Sequence, residues 1–374
     1  MEKTQIVVNR KSLENEVAFA KKIIGRSASN IAIVGNLLLT FLPDGIAVQC
    51  TNLETAYMGV LGNPANRKHR LPKKAPQILI DSARLKTVLS KLPKKLKEVS
   101  LETTWDGDGI MVNGSTTIVR GGDTNDYPSL PSLPWGKSHD LLSYDNLLQV
   151  SGISVADDKR AHLNCLYVDA GTGHLVSTDG SRLYSVKIPS ADIEPFMIPK
   201  FAAGLFLTPQ LRNEIGAVRI DRKNQNVFIE TGHGYITTRI PDAYFPDYKA
   251  VLAVMDDDPS AVISTDDKQT MVDALTEATG ILSGYYASVT ISVDDQLVLS
   301  AENPDCGEFK KNLSDAFTFI GDAFEAAFNP KYFIDACETL KEKGLNVFLF
   351  GEGKPAIIPS PCGDFQAVIM PMRD

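Results

Sequence analysis

The chain runs to 374 residues, 43% of them hydrophobic, which is enough to bury several cores and leaves little room for extensive disorder. No apolar run approaches the roughly 20 residues a membrane helix needs, and the N-terminal MEKTQIVVNRK lacks a signal peptide's apolar core. The net charge of −8 argues mildly against nucleic acid, while five scattered cysteines without a CxxC pair fit reduced cytoplasmic thiols and argue against a disulfide framework or zinc site.

The first predicted elements are a strand at Ile6–Val8 and a helix capped by Ser12, with Leu13, Val17, Ala20 and Ile24 at helical spacing until Gly25. Two apolar stretches follow within Asn36–Thr55, broken by a Pro-Asp-Gly turn, and read as a hairpin. Ile78–Ile80 then leads into a helix at Ser82–Leu92. Strands at Val99–Glu102, Gly109–Val112 and Thr117–Val119 close this first set. Between Val60 and Lys97 the charge is almost all positive, from Arg67 and Lys68 to Lys95 and Lys97. Such a run is either a solvated face or a lane for a phosphate backbone, and an acidic protein can hold one.

The same succession starts again at Leu141–Leu142, with a helix over Tyr144–Val155 whose Leu147, Leu148 and Ile153 point inward. A second hairpin phrase spans Leu163–Leu183 and turns at Ala170–Gly173. Phe196–Ile198 leads to a helix at Lys200–Phe206, and Ala217–Ile220, Asn226–Glu230 and Tyr235–Arg239 are its closing strands. A third round opens with Ala261–Ile263 and a helix over Asp266–Ile281, with Met271, Leu275 and Ala278 inward. Its phrase, Val289–Glu308, turns at Asp294–Asp295. Phe317–Ile320 and Glu325–Phe328 precede a helix at Pro330–Lys343, and Leu345–Phe350, Pro355–Pro359 and Gln366–Met370 end it.

Three phrases about 125 residues apart, an ordinary domain length, indicate an architecture made of copies. The predicted class is α+β, three repeated βαβββαβββ domains over 1–130, 138–254 and 260–374, each with two helices on one side of its sheets. The helices present mainly Lys and Arg, and no base-reading motif accompanies them. Contact with nucleic acid through them would be sequence-blind and salt-sensitive.

Catalytic readings find little support. Asp179 with His162 and Cys165 is a conceivable cluster, but all three belong to a repeated scaffold phrase. The acidic run Asp256–Asp258 is conceivable as a Mg²⁺ site but lies in an apparent linker. Gly171–Gly173 and Gly351–Lys354 lack the spacing of a phosphate loop. No cofactor, metal or enzymatic activity is expected.

VSTDGSRLYSVKIP (Val176–Pro189), FPDYKAVL (Phe245–Leu252), FNPKYFIDACETL (Phe328–Leu340) and the terminal VIMPMRD (Val368–Asp374), with GNLLL (Gly35–Leu39) and ILS (Ile281–Ser283), resemble the bacterial sliding clamp family, the β subunits of DNA polymerase III. The resemblance runs through all three copies in order. It implies a head-to-tail homodimeric ring that encloses duplex DNA without sequence preference and tethers the replicative polymerase, the clamp loader and other proteins carrying a clamp-binding motif. An interaction scaffold of the same fold without DNA encirclement is the alternative.

By residue match, the resemblance places a partner-peptide cleft at Leu163, Thr178, Gly180, Arg182, Leu183, Pro246, Val251, Asn329, Tyr332, Val368, Met370, Pro371, Met372 and Arg373. Ser181, Ala250, Pro330 and the final Asp374 depart from the family's pattern. The dimer interface is expected at Val119, Ile281 and Leu282. Arg26, Lys86, Lys91, Lys159, Arg160 and Lys200 are the candidate DNA contacts.

Overall fold

The structure is a computed structural model that describes residues 4–25, 31–62, 71–72, 74–153, 160–212, 214–283, 287–351 and 353–372. In the first repeat, β1 (Gln5–Asn9) and α1 (Arg10–Ile24) are followed by β2 (Asn36–Leu42), β3 (Gly45–Thr51), β4 (Thr55–Gly62) and β5 (Gln77–Asp81). Then come α2 (Ser82–Lys91), β6 (Glu98–Thr103), β7 (Gly109–Val112) and β8 (Thr116–Val119). The second repeat has α3 (Tyr144–Ser151), β9 (Cys165–Asp169), β10 (His174–Thr178), β11 (Arg182–Lys187) and β12 (Phe196–Pro199). It continues with α4 (Lys200–Phe206), β13 (Val218–Asp221), β14 (Asn226–Thr231) and β15 (Gly234–Arg239).

After a short helix α5 (Tyr248–Leu252), the third repeat contains β16 (Ala261–Thr265), α6 (Gln269–Thr279), β17 (Val289–Val293), β18 (Leu297–Asn303) and β19 (Gly307–Asn312). β20 (Thr318–Gly321), β21 (Phe324–Phe328), α7 (Pro330–Thr339), β22 (Leu345–Leu349), β23 (Ala356–Pro359) and β24 (Phe365–Ile369) complete it. None of the helices described is long and apolar enough to cross a membrane.

The α+β class and the triplication hold, with one more strand per repeat than the hairpin phrases indicate. The extra strands are β4, β11 and β19, which follow each phrase and pair with its second strand. Their place in the sheets explains their importance. β4 pairs with β15, the last strand of the second repeat, and β11 pairs with β24, the last strand of the third. These two seams fuse repeats into a seven-stranded sheet ordered β13-β14-β15-β4-β3-β2-β5 and a nine-stranded sheet ordered β12-β9-β10-β11-β24-β23-β22-β16-β20. Two four-stranded sheets, β1-β6-β7-β8 and β19-β18-β17-β21, end in β8 and β19.

Compactness follows the seams. One unit comprises residues 1–144 and 201–241, the other 145–200 and 242–374, so the division cuts through the second repeat.

Several local expectations change. The cap of α1 is Asn9, whose side chain accepts a hydrogen bond from Ser12 N, so the helix starts before Ser12. The expected strand at Leu141–Leu142 is replaced by a single bridge between His139 and Val218. In α3, Leu148 is half exposed while Leu147 and Val150 are buried, and the helix ends at Ser151. α6 and α7 are each shorter than expected, and α7 ends at Thr339 with Leu340 as its cap, before the stretch that follows. Pro330 occupies the first turn of α7, where its missing N–H costs nothing.

Candidate functional site: an apolar face beside a buried arginine

The residues expected to form a cleft gather in the unit that holds the β11·β24 seam. The β10–β11 turn, Asp179-Gly180-Ser181, depends on Gly180, whose φ of +91° disfavours any side chain. Asp179 fixes that turn: its Oδ1 accepts from Ser181 N (3.0 Å) and Arg182 N (2.9 Å), and its Oδ2 accepts from Arg182 Nε (3.0 Å). Thr178 closes the other side, donating to Arg182 O and accepting from Gly180 N. Asp179 is therefore a positioning residue for Arg182. Nearby Cys165 is buried, and burial pushes its thiol up to about 11.

Arg182 is 6% exposed and donates to Asp335 Oδ2 of α7 at 2.6 Å, while its guanidinium lies 4.4 Å from the Tyr332 ring centre. Burial opposes its charge, but the bond to Asp335 and the field of Asp179 outweigh it and raise its pKa. One side chain of the second repeat thus holds the helix of the third. Asn329 caps that helix by accepting from Lys331 N.

On the other face of β11, Leu183 belongs to an apolar cluster. Val176, Leu183, Tyr248, Phe350, Ile357 and Val368 are buried, with Tyr167, Phe245, Val251, Leu252, Val254, Met255 and Phe348 half buried against them. Tyr167 and Phe245 stack at 4.6 Å and 9°, and Tyr248 meets Tyr167 edge-on at 5.8 Å. Leu183 and Val368 are cross-strand partners at the seam, and Leu163 is buried as well. Pro246, Met370 and Met372 are exposed. The C-terminal segment is tied down where Met370 N donates to Ser181 O (2.9 Å) and Met372 N to Ala327 O (2.8 Å). Exposed thioethers and half-buried aromatics make a surface suited to an apolar peptide.

The aromatic residues Tyr167, Phe245, Tyr248, Phe348 and Phe350, and Asp335, were not among the sequence candidates. Their alternation with apolar neighbours reads as core, and the partners of Arg182 and Tyr167 are distant in the chain. Tyr248 and Lys249 are further tied to Asp169. Tyr248 Oη donates to Asp169 Oδ2 (2.8 Å) and Lys249 Nζ lies 3.0 Å from it. Burial opposes ionisation of Asp169, but Lys249, Tyr248 and Thr172 outweigh it and lower its pKa.

The candidate DNA contacts divide. Lys86 and Lys91 are exposed on α2, and Arg160 is exposed before β9. Lys200 is different: its Nζ is buried with no hydrogen-bond partner among the described residues, and desolvation lowers its pKa to about 8. A shielded ammonium is poorly placed to meet phosphate, so the expectation for Lys200 is corrected. Arg26, Lys159 and Arg373 lie outside the described residues, as do Arg67, Lys68 and Arg70 of the basic run.

Val119 is 58% exposed on the free edge β8. A hollow of about 390 Å³ beside it is lined by Ala83, Arg84, Thr87 and Val88 of α2 and by Thr117, Ile118 and Val119. In the other unit, Ile281 and Leu282 are half buried just past α6, and Asn303 Nδ2 donates to Ile281 O at 2.6 Å.

Residues 257–373 match the family described as DNA polymerase III beta subunit, C-terminal domain. A beta sliding clamp from Pseudomonas putida is 22% identical, with 98% of this chain and 99% of that protein covered. The Pseudomonas aeruginosa beta sliding clamp is 23% identical over the same shares. Among solved structures, the DNA polymerase III subunit beta of Pseudomonas aeruginosa aligns with a TM-score of 0.83 at 19% identity, covering 99% of this chain and all of that one. The Streptococcus pyogenes β subunit gives 0.84 at 15% identity, covering 99% and 100%. The Bartonella birtlesii clamp, solved bound to griselimycin, gives 0.82 at 22% identity over the whole of both chains. The chain has their fold and resembles the DNA polymerase III β subunit along its whole length.

Proposed function

We propose that this chain is a DNA sliding clamp: a homodimeric ring that encircles duplex DNA and tethers the replicative polymerase and other proteins to it. The observation that carries this reading is the arithmetic of the seams. Three repeats offer three places where the extra strand of one can pair with the last strand of the next. Two are filled, by β4·β15 and β11·β24. The extra strand of the third repeat, β19, and the last strand of the first, β8, are both sheet edges. An unpaired edge is a standing invitation to another chain. A head-to-tail contact of β19 with β8 of a second copy repeats the internal seam, and such a contact escapes filament growth by closing after two subunits.

In the proposed contact, Ile281 and Leu282 of one subunit enter the hollow between α2 and β8 of the other, against Val119. The 1–130, 138–254 and 260–374 division is part of the same reading, with each domain contributing a strand to its neighbour's sheet. Duplex DNA is held by enclosure, through weak, salt-sensitive contacts of Lys86, Lys91, Arg160 and the basic residues outside the described set. The surface around Arg182, Tyr332, Met370 and Met372 receives partner peptides. The aromatic half-buried layer supports that assignment, and a griselimycin-bound clamp is among the solved relatives. The role is tethering without catalysis, in the cytoplasm.

The test is topological. The dimer closed on nicked circular duplex is retained through gel filtration and released when the DNA is linearised. Equal loss from circular and linear DNA favours the scaffold reading.

A further inference from the structure

We propose that Glu16, Tyr57, Glu214 and His233 form a pH-sensitive clasp across the β4·β15 seam, tight while the His233 ring carries both protons and loosened when one leaves. The clasp stands independently of the ring reading.

Its members come from four places in one compact unit. Glu16 lies on the buried face of α1, 5% exposed, and Tyr57 on β4 is 1% exposed. Glu214 follows α4, and His233 sits in the β14–β15 turn, its carbonyl accepting from Val60 N at the end of the seam. Tyr57 Oη donates to Glu16 Oε1 at 2.6 Å. His233 Nε2 lies 3.2 Å from Glu16 Oε2 and 3.1 Å from Tyr57 Oη, and its Nδ1 lies 3.0 Å from Glu214 Oε2. Both ring nitrogens therefore lie at ion-pair distance from a carboxylate, Nε2 in a hydrogen bond to Glu16 and Nδ1 as a charge contact with Glu214 outside hydrogen-bond alignment, an arrangement that suits the doubly protonated ring.

The chain has made room for these groups. A Cβ on Gly59 would collide with the Glu16 carboxylate and the Tyr57 hydroxyl, and one on Gly232 would stand 3.0 Å from Glu214 Oε2. Alongside is a cavity of about 450 Å³ whose lining includes Asn9, Asn15, Leu61 and Gln210. The His233 side chain is 22% exposed, which gives its proton a route to solvent without unfolding.

Among the described residues, the titratable groups around the ring are few. Tyr57 is kept protonated by burial and by the field of Glu16, and Cys50 on β3 by the same two causes. Lys22 of α1 is engaged elsewhere, donating to Gln210 Oε1. The hydrogen bond to Glu16 raises the His233 pKa against the opposing effect of burial, and the fields of Glu16 and Glu214 add to the rise. A raised folded-state value contributes stability that is full below the ordinary 6.5 and is lost as pH rises through the folded value. Above it, Glu16 keeps Tyr57 but loses its only clasp cation.

The experiment follows the five histidines by NMR of the ¹³C-histidine-labelled full chain, with thermal unfolding at fixed protein concentration from about pH 6 to about pH 9. The expected result is a His233 midpoint above 6.5 that falls in Glu214→Gln, and a wild-type Tm that drops by about 2–4 °C across that midpoint. His233→Gln is expected to remove that part of the pH dependence. Should His233→Gln fail to fold, Glu214→Gln, altered at a 38% exposed side chain, carries the test. A wild-type midpoint at or below 6.5, or a Tm profile unchanged in the variants, would overturn the proposal.

Discussion

The two internal seams use the same backbone device and opposite side-chain chemistry. At β11·β24 the buried charge is a guanidinium held by Asp179 and Asp335, and the same unit carries exposed methionines and half-buried aromatics. At β4·β15 the buried group is a carboxylate, Glu16, facing the His233 imidazole at 3.2 Å. Arginine does not titrate in the working range and its planar fork fixes direction, which suits a surface that must present the same face to every partner. Histidine titrates near neutrality, so its seam answers to pH. A repeated strand pairing thus leaves each junction free to take its own electrostatic solution.

The largest effect is expected where the arginine seam loses its cation. Removing one member of a buried pair costs roughly 3–5 kcal/mol. Asp335 is 30% exposed, so screening lowers the expectation for Arg182→Ala to about 2–3 kcal/mol. Chemical denaturation of the variant checks this, and peptide binding should fall with it. A loss no larger than that of a surface arginine would mean the seam does not depend on Arg182.

The seam proposed with a second copy comes next. Leu282→Ala should weaken the dimer at least tenfold, a change of about 1.4 kcal/mol, read by sedimentation against the wild type. An unchanged dimer constant would remove Leu282 from the contact.

The pH responses of the two internal seams should run in opposite directions. The β4·β15 side weakens as pH rises through the elevated His233 value. The β11·β24 side includes Asp169, whose lowered pKa gives stability above the ordinary carboxylate value that is lost as pH falls through its folded value. Hydrogen exchange resolved by peptide separates them: alkaline pH should expose 55–62 and 234–239 first, acid 165–178 first. The same order at both extremes would erase the contrast.

Smaller effects are expected at the exposed surfaces. Met372→Ala should reduce partner-peptide affinity by roughly fivefold, about 1 kcal/mol, with dimer mass unchanged. Full affinity would place the peptide elsewhere. Lys86→Ala and Lys91→Ala should each lower the salt slope of duplex binding by about 1, with little effect on either seam.

Repetition was legible because each phrase has its own turn residues: Pro-Asp-Gly, the glycines after Ala170, and Asp294–Asp295. The extra strands were not. RLYSVK of β11 is buried at every position but Lys187 and shows no alternation, since partners cover both of its faces and edges. GEFKKN of β19 reads as a charged tail. The candidate peptide contacts came from resemblance, and the contacts that hold Arg182 did not, because Arg182 meets Asp335 from 153 residues away. Glu16 and His233 are 217 residues apart, beyond any local signal. Lys200 shows the reverse error: a lysine at a helix start reads as surface, and only packing reveals a buried ammonium.

Amide exchange along β8 and β19 in the wild-type protein, at concentrations spanning dimer dissociation, tests the central claim most directly. Closure predicts that residues 116–119 and 307–312 exchange as slowly as the internal β4·β15 seam when concentrated, and that both lose protection together on dilution. Fast exchange along both edges at every concentration would contradict it.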